Sequence, residues 1–133
     1  MKPVFSRSTK PTALRILLID SDLKILATLK TLLESHGHEV FIAIDAATAL
    51  RLTQQHKPEI IVAGIELEET SGYELAKEIR SLPAGSRYRM IALAELNHLQ
   101  YPEKIKASGF DDFLLKHADK SEILSMLNHV VNL

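Results

Sequence analysis

Four short polar clusters, each closing an apolar run, hold the residues that could do chemistry in this 133-residue chain. Asp20-Ser21-Asp22 follows LRILLI, Gly64-Ile65-Glu66 follows IIVA, Ala94-Glu95 follows MIAL, and Lys116-His117 follows FLL. Carboxylates beside an ammonium are groups for cation binding, phosphoryl transfer or ion pairing. Gly64 stands out because a residue without a side chain is neither nucleophile nor metal ligand. A buried ammonium is costly unless paired, so Lys116 is expected to meet Asp20, Glu66 or Glu95. Otherwise its stem packs while its head reaches water. No nucleophile–base pair or cofactor loop is present, which argues against an independent enzyme. The histidines (His36, His38, His56, His98, His117, His129) show no metal-ligand spacing. His36 and His38 flank a turn and are expected at the surface. Glu68, Glu69 and the Asp111–Asp112 pair read as solvated loops, the first two near the Gly64 corner.

The clusters recur because strands and helices alternate five times from Leu14 onward. Strands are expected at Leu14–Asp20, Glu39–Ala43, Ile60–Ile65, Met90–Leu93 and Phe113–Leu115. Three of them are continuous apolar runs, as in strands covered on both faces. Leu26, Leu29 and Leu33 share one helix face; Leu75, Ile79 and Leu82 share another; Ile123, Leu127, Val130 and Val131 line the last helix. Ser71-x-x-Glu74 and Asp119-x-x-Glu122 have capping-box spacing, and Asp45 can cap the second helix. Gly37 and Gly109 fall where helices end. A short polar helix is expected around Pro102–Ser108. Strict alternation with short connections implies a parallel sheet wrapped by helices. Ligand corners of such sheets lie beyond the carboxyl ends of the strands, which is where the four clusters fall.

The length suits one domain, with residues 1–13 read as a flexible basic arm and 14–133 as the folded unit. Charged residues make up 25% and the net charge is −1, giving no electrostatic case for nucleic acid or an anionic membrane. No apolar run approaches the ~20 residues of a membrane span. With no cysteine, disulfide and thiolate chemistry are excluded, compatible with a cytoplasmic setting.

ILLIDSD (16–22), PEIIVAGIELEETSGYELAKEIR (58–80), MIALAE (90–95) and GFDDFLLKHADKSEIL (109–124) together resemble the receiver domain of two-component response regulators. The resemblance covers residues 14–131. It implies a flavodoxin-like (βα)5 three-layer α/β sandwich, its five-stranded parallel sheet ordered 2-1-3-4-5. It also implies a pocket of five parts, of which two survive. Of the two acidic metal-binding places, Asp20 keeps its carboxylate and Ser21 does not. The phosphate-accepting Asp is Gly64, the hydroxyl residue after the fourth strand is Ala94, and the Lys after the fifth strand remains as Lys116. His117 stands where a cis proline is usual, so a trans peptide is expected.

Phosphoryl transfer to a carboxylate needs a nucleophile and a metal to neutralise charge. Mg²⁺ prefers near-octahedral oxygen ligation including one or two carboxylates. Asp20 alone is a weak metal candidate, so no cofactor is expected. Glu95 replaces a small residue and adds charge at the mouth, unless it points to solvent. Phe113 matches the aromatic of the output face formed by the fourth helix, fifth strand and fifth helix. With Ala94 beside it, Phe113 is expected to be a fixed core or interface residue rather than a switch. The reading is a degenerate receiver that binds a signalling protein, such as a histidine kinase or another regulator, without a phosphate cycle. It is not expected to bind nucleic acid or membrane, and self-association through the output face is open. Two alternatives remain: a displaced acceptor at Asp20, Asp22 or Glu66, or a small-ligand sensor using the vacated pocket.

Overall fold

Runs of Ile, Leu, Val and Ala become strands here because both of their faces can be buried. The computed structural model describes the backbone of residues 13–131 and the side chains of residues 13–129. The arm expected at 1–13 therefore lies almost wholly outside the described residues, as do the side chains of Val130 and Val131. The strands are β1 (Arg15–Ile19), β2 (Glu39–Ala43), β3 (Ile60–Gly64), β4 (Arg89–Ala94) and β5 (Asp112–Leu115). All pair in parallel in the order β2-β1-β3-β4-β5. The helices are α1 (Leu23–Ser35), α2 (Ala46–His56), α3 (Gly72–Arg80), α4 (Pro102–Ala107) and α5 (Lys120–Val131).

The period of two along each strand divides the core into two layers. Ile16, Leu18, Val62, Ile91 and Leu93 meet Leu26, Leu29 and Leu33 of α1 and Ile123 and Leu127 of α5. Leu17, Ile19, Ile61, Ala63 and Ala92 meet Ala49 of α2, Leu75, Ala76 and Ile79 of α3, and Ile105 of α4. Helices thus cover both faces of the sheet, the three-layer arrangement implied by the alternation.

Local signals place the helices. Asp45 Oδ1 accepts the Thr48 N–H at 2.8 Å, and Ser71 Oγ accepts the Glu74 N–H at 3.2 Å. At Asp119 and Glu122 the capping box closes both ways, at 2.9 and 3.0 Å. Gly37 and Gly109 have φ of 90° and 119°.

Two local expectations need correction, and one element was not expected at all. Leu82 lies past the end of α3 and is only half-buried, because Pro83 disfavours helical backbone in the residue before it. His38 is half-buried rather than exposed, its Nδ1 accepting the Leu14 N–H at 3.1 Å. The connection between β4 and α4 contains a 3₁₀ turn over Leu96–Gln100 that the apolar periodicity did not indicate.

A further feature escaped the sequence. Arg80, at the end of α3, donates to the carbonyls of Gly85 and Tyr88 at 2.8 Å each. It also donates to Gly109 at 2.6 and 2.9 Å and pairs with Asp111 at 3.0 Å. Asp111 in turn accepts the Met90 N–H at 2.9 Å. One guanidinium therefore ties α3 to the loops before β4 and β5, a fork-shaped task suited to arginine.

Candidate functional site

The first, third, fourth and fifth strands deliver their terminal residues to one end of the sheet. Asp20 follows β1 and is completely buried, its N–H donating to the Ala43 carbonyl at 3.2 Å. Its Oδ1 accepts the Asp22 N–H at 2.9 Å and a hydrogen bond from Lys116 Nζ at 3.3 Å. Its Oδ2 lies 3.2 Å from the same ammonium but accepts no hydrogen bond. Ser21 beside it is exposed.

Gly64 ends β3 and is buried. A Cβ built there would fall far inside the contact distance of Asp20 Oδ2 and 3.0 Å from Asp20 Cγ. The Asp20 carboxylate therefore fills the volume in which a residue-64 side chain would begin. Gly72 makes a second close approach: its N–H donates to the Ile65 carbonyl at 2.6 Å, and a Cβ there would strike the Gly64 carbonyl. The start of α3 packs on the backbone of the Gly64 corner. Gly72 was absent from the expected site residues, although its place directly after the Ser71 cap was the available signal.

Lys116 leaves β5 with its N–H donating to the Ala94 carbonyl at 2.9 Å. Its side chain is only 10% exposed, so this ion pair is internal. Ala94 is fully buried beside it and offers no hydroxyl. Glu95 is half-exposed, with Oε2 3.9 Å from Lys116 Nζ. Of the three partners expected for Lys116, Asp20 is in contact and Glu95 is at the limit.

Glu66 is not a partner, which corrects that alternative. It is 72% exposed and sits 3.4 Å from Nε2 of His98. His98 was passed over in the sequence because no metal partner lies near it in the chain. Its Nδ1 accepts the Glu95 N–H at 2.9 Å, and the Glu95 side chain reciprocates at the His98 N–H. A continuous polar chain thus runs Glu66–His98–Glu95–Lys116–Asp20 and joins the loops that follow β3, β4, β5 and β1.

Next to this chain, burial and then the Glu66 carboxylate push the Tyr73 phenol above its ordinary value. Lys104 Nζ lies over the same ring, 4.5 Å from its centroid. Phe113 is half-buried and packs with the layer beneath α2, α3 and α4. It also lines a groove of about 790 Å³ with Met126 and His129 of α5.

A divalent metal is a poor match for these groups. The corner's one buried carboxylate, Asp20, is already paired with an ammonium, and neither Ser21 nor Gly64 adds a second beside it. Mg²⁺ needs near-octahedral oxygen ligation anchored by carboxylates. The residues present do not fit it, and among the described residues no cluster of three or more His, Asp or Glu could hold a metal ion.

Residues 16–128 match the response regulator receiver domain family. The chain belongs to that family. A 14.6 kDa protein from the sodA1 3′ region of Leptolyngbya boryana is 31% identical to this receiver domain over 112 residues, covering 84% of this chain and 86% of that protein. The chemotaxis response regulator CheY4 of Vibrio cholerae superimposes with a TM-score of 0.84 at 23% identity, covering 90% of this chain and 99% of that one. The receiver domain of the sensor histidine kinase PA1611 of Pseudomonas aeruginosa has a TM-score of 0.80 at 24% identity, covering 89% of this chain and 97% of that one. That structure carries a magnesium ion coordinated in its active site cleft. The likeness to the two solved structures establishes the fold, a flavodoxin-like receiver.

Proposed function

We propose that this receiver domain is a phosphorylation-independent interaction module of a two-component or phosphorelay pathway. The observation that carries this reading is the Asp20–Lys116 pair closed over Gly64. The ammonium that would meet a phosphoryl group instead holds a carboxylate of its own chain. That carboxylate occupies the space of the absent acceptor. In this reading the site binds no Mg²⁺, unlike the PA1611 receiver, and has no enzymatic activity of its own.

The partner proposed is a signalling protein, a histidine kinase or another regulator, in a cytoplasmic setting. Self-association through α4, β5 and α5 is compatible with it, and Phe113 would then act as a fixed contact. Neither nucleic acid nor membrane is part of the reading. The net charge is −1, and among the described residues no helix is long and apolar enough to cross a membrane.

The alternatives draw less support. Glu66, on the right loop for a displaced acceptor, faces His98 rather than Lys116. Asp22 is spent on capping α1 through the Lys24 N–H at 2.9 Å. A ligand in the vacated pocket would compete with the Asp20 carboxylate for the same volume.

An amide NMR spectrum before and after adding Mg²⁺ and beryllofluoride tests the proposal. An unchanged spectrum is expected. Shifts concentrated at residues 20–22, 64–66 and 116 would overturn it.

A further inference from the structure

His98 occupies a place in the polar chain that only one ring tautomer can fill. The Glu95 N–H points at Nδ1 from 2.9 Å, so Nδ1 must carry a lone pair. The ring proton then sits on Nε2, which faces Glu66 Oε2 at 3.4 Å. One nitrogen caps the start of the 3₁₀ turn at Leu96–Gln100, and the other ties that turn to the loop after β3. The ring side chain is only 10% exposed, whereas Glu66 is 72% exposed.

A second proton changes the two nitrogens in opposite senses. At Nδ1 the acceptor becomes a donor pointed at another donor, and that half of the capping box is lost while the Glu95 side chain still accepts the His98 N–H. At Nε2 the hydrogen bond to the Glu66 carboxylate becomes an ion pair and strengthens. We propose that His98 is a proton-operated clasp: protonating its ring frees the beginning of the 95–100 segment while holding the segment to Glu66.

The charged and titratable groups around the ring come from each neighbouring element. Glu66 lies on the loop after β3, Tyr73 on α3 and Lys104 on α4, all lining one groove of about 430 Å³ with His98 and Tyr101. Glu95 precedes the turn and is itself 3.9 Å from Lys116 of β5. Histidine is the side chain that gains charge between about pH 5 and 8 without special tuning.

The consequence is at the surface. Leu96 and Tyr101 flank the turn and are 75% and 57% exposed. Asn97 lines both the groove with Tyr73 and a second groove of about 390 Å³ bounded by Leu115, Ala118 and Lys116. Releasing the turn redraws the wall between these two grooves, so the surface offered to a partner becomes pH-dependent. This inference goes beyond the phosphate-free reading and holds with or without it.

The test is a pH titration of the full chain from 8 to 5, following the His98 ring nitrogens and backbone amide exchange together. At pH 8 the ring is expected as the Nε2–H tautomer with the Glu95 amide protected. As the ring gains its proton, that protection is expected to fall roughly tenfold, corrected for the intrinsic effect of pH, as the loss of a helix-type cap implies. Amides of residues 96–101 should shift with the same midpoint. His98→Gln keeps an acceptor at the capping position without a titrating group, so it should keep the turn protected across the whole range. An Nδ1–H tautomer at pH 8 would overturn the clasp. So would loop amides that ignore the ring titration, or a His98→Gln protein with the same pH response.

Discussion

The carboxylate of Asp20 lies where the side chain of residue 64 would start, so these two positions share one volume. Any side chain at 64 must move Asp20, and Asp20 is held by Lys116. Gly64→Ala is therefore expected to cost about 1 to 3 kcal/mol, the range for overpacking a closed interior. In an Asp20→Ala background the same change should cost less than about 0.5 kcal/mol, because its obstacle is gone. Urea unfolding of the four proteins measures the coupling. Additive costs would show that the two residues do not compete for space.

Breaking the Asp20–Lys116 pair leaves an uncompensated charge in the interior. Asp20→Asn and Lys116→Met should each destabilise by about 3 to 5 kcal/mol, as removal of one partner from a buried pair does. The double variant, with neither charge, should recover a large part of that loss. Equal instability of the single and double variants would argue against an internal ion pair.

Acid should weaken the fold in two stages with different owners. His38 is held below its ordinary 6.5 by burial first and by His36 second. Its neutral Nδ1 accepts the Leu14 N–H. As pH falls, the unfolded chain takes up this proton before the folded one does. The contribution of His38 is therefore fully present above about pH 6.5 and is lost as pH falls through the lower folded value. Asp45 and Asp119 are held below 3.8 chiefly by the backbone N–H groups of Thr48 and Glu122. Their contribution is present above that value and disappears in stronger acid. Stability measured against pH should lose the His38 part of its upper step in His38→Gln, and the part of its lower step owed to these two caps in Asp45→Asn/Asp119→Asn.

Arg80 should be less replaceable than its place at a helix end suggests. Arg80→Lys loses the fork that reaches three carbonyls and Asp111 at once, and about 2 to 3 kcal/mol of stability with it. The changes in amide exchange should concentrate at Met90 and the 109–111 segment, at the opposite end of the sheet from Lys116. Exchange altered only within α3 would show that the clamp does not extend to those loops.

The helices that the sequence announced most clearly are those with strong local signals. Asp45, Ser71 and Asp119 mark starts through bonds only three residues long, and continuous apolar runs mark strands buried on both faces. Strand ends were less legible: Asp20 and Ile65 were read into β1 and β3, yet both lie just past the ladder. The 3₁₀ turn at Leu96–Gln100 carries no apolar period, and its cap uses a histidine where glutamate or glutamine is usual.

The sequence by itself determined that a receiver-type sheet would bring Asp20, Gly64, Ala94 and Lys116 to one corner, because alternating strands and helices admit few topologies. It also determined that, of the places the resemblance assigns to metal binding and phosphate, only the Asp20 carboxylate and the Lys116 ammonium remain, with no acceptor at 64. Tertiary structure alone decided that the Asp20 carboxylate turns into the space over Gly64, that Lys116 chooses Asp20 over Glu66, and that His98 links Glu66 to Glu95. The Glu66–His98 and Asp20–Lys116 contacts join residues 32 and 96 positions apart in the chain. They depend on packing distances of a few tenths of an ångström, and only the folded arrangement sets such distances.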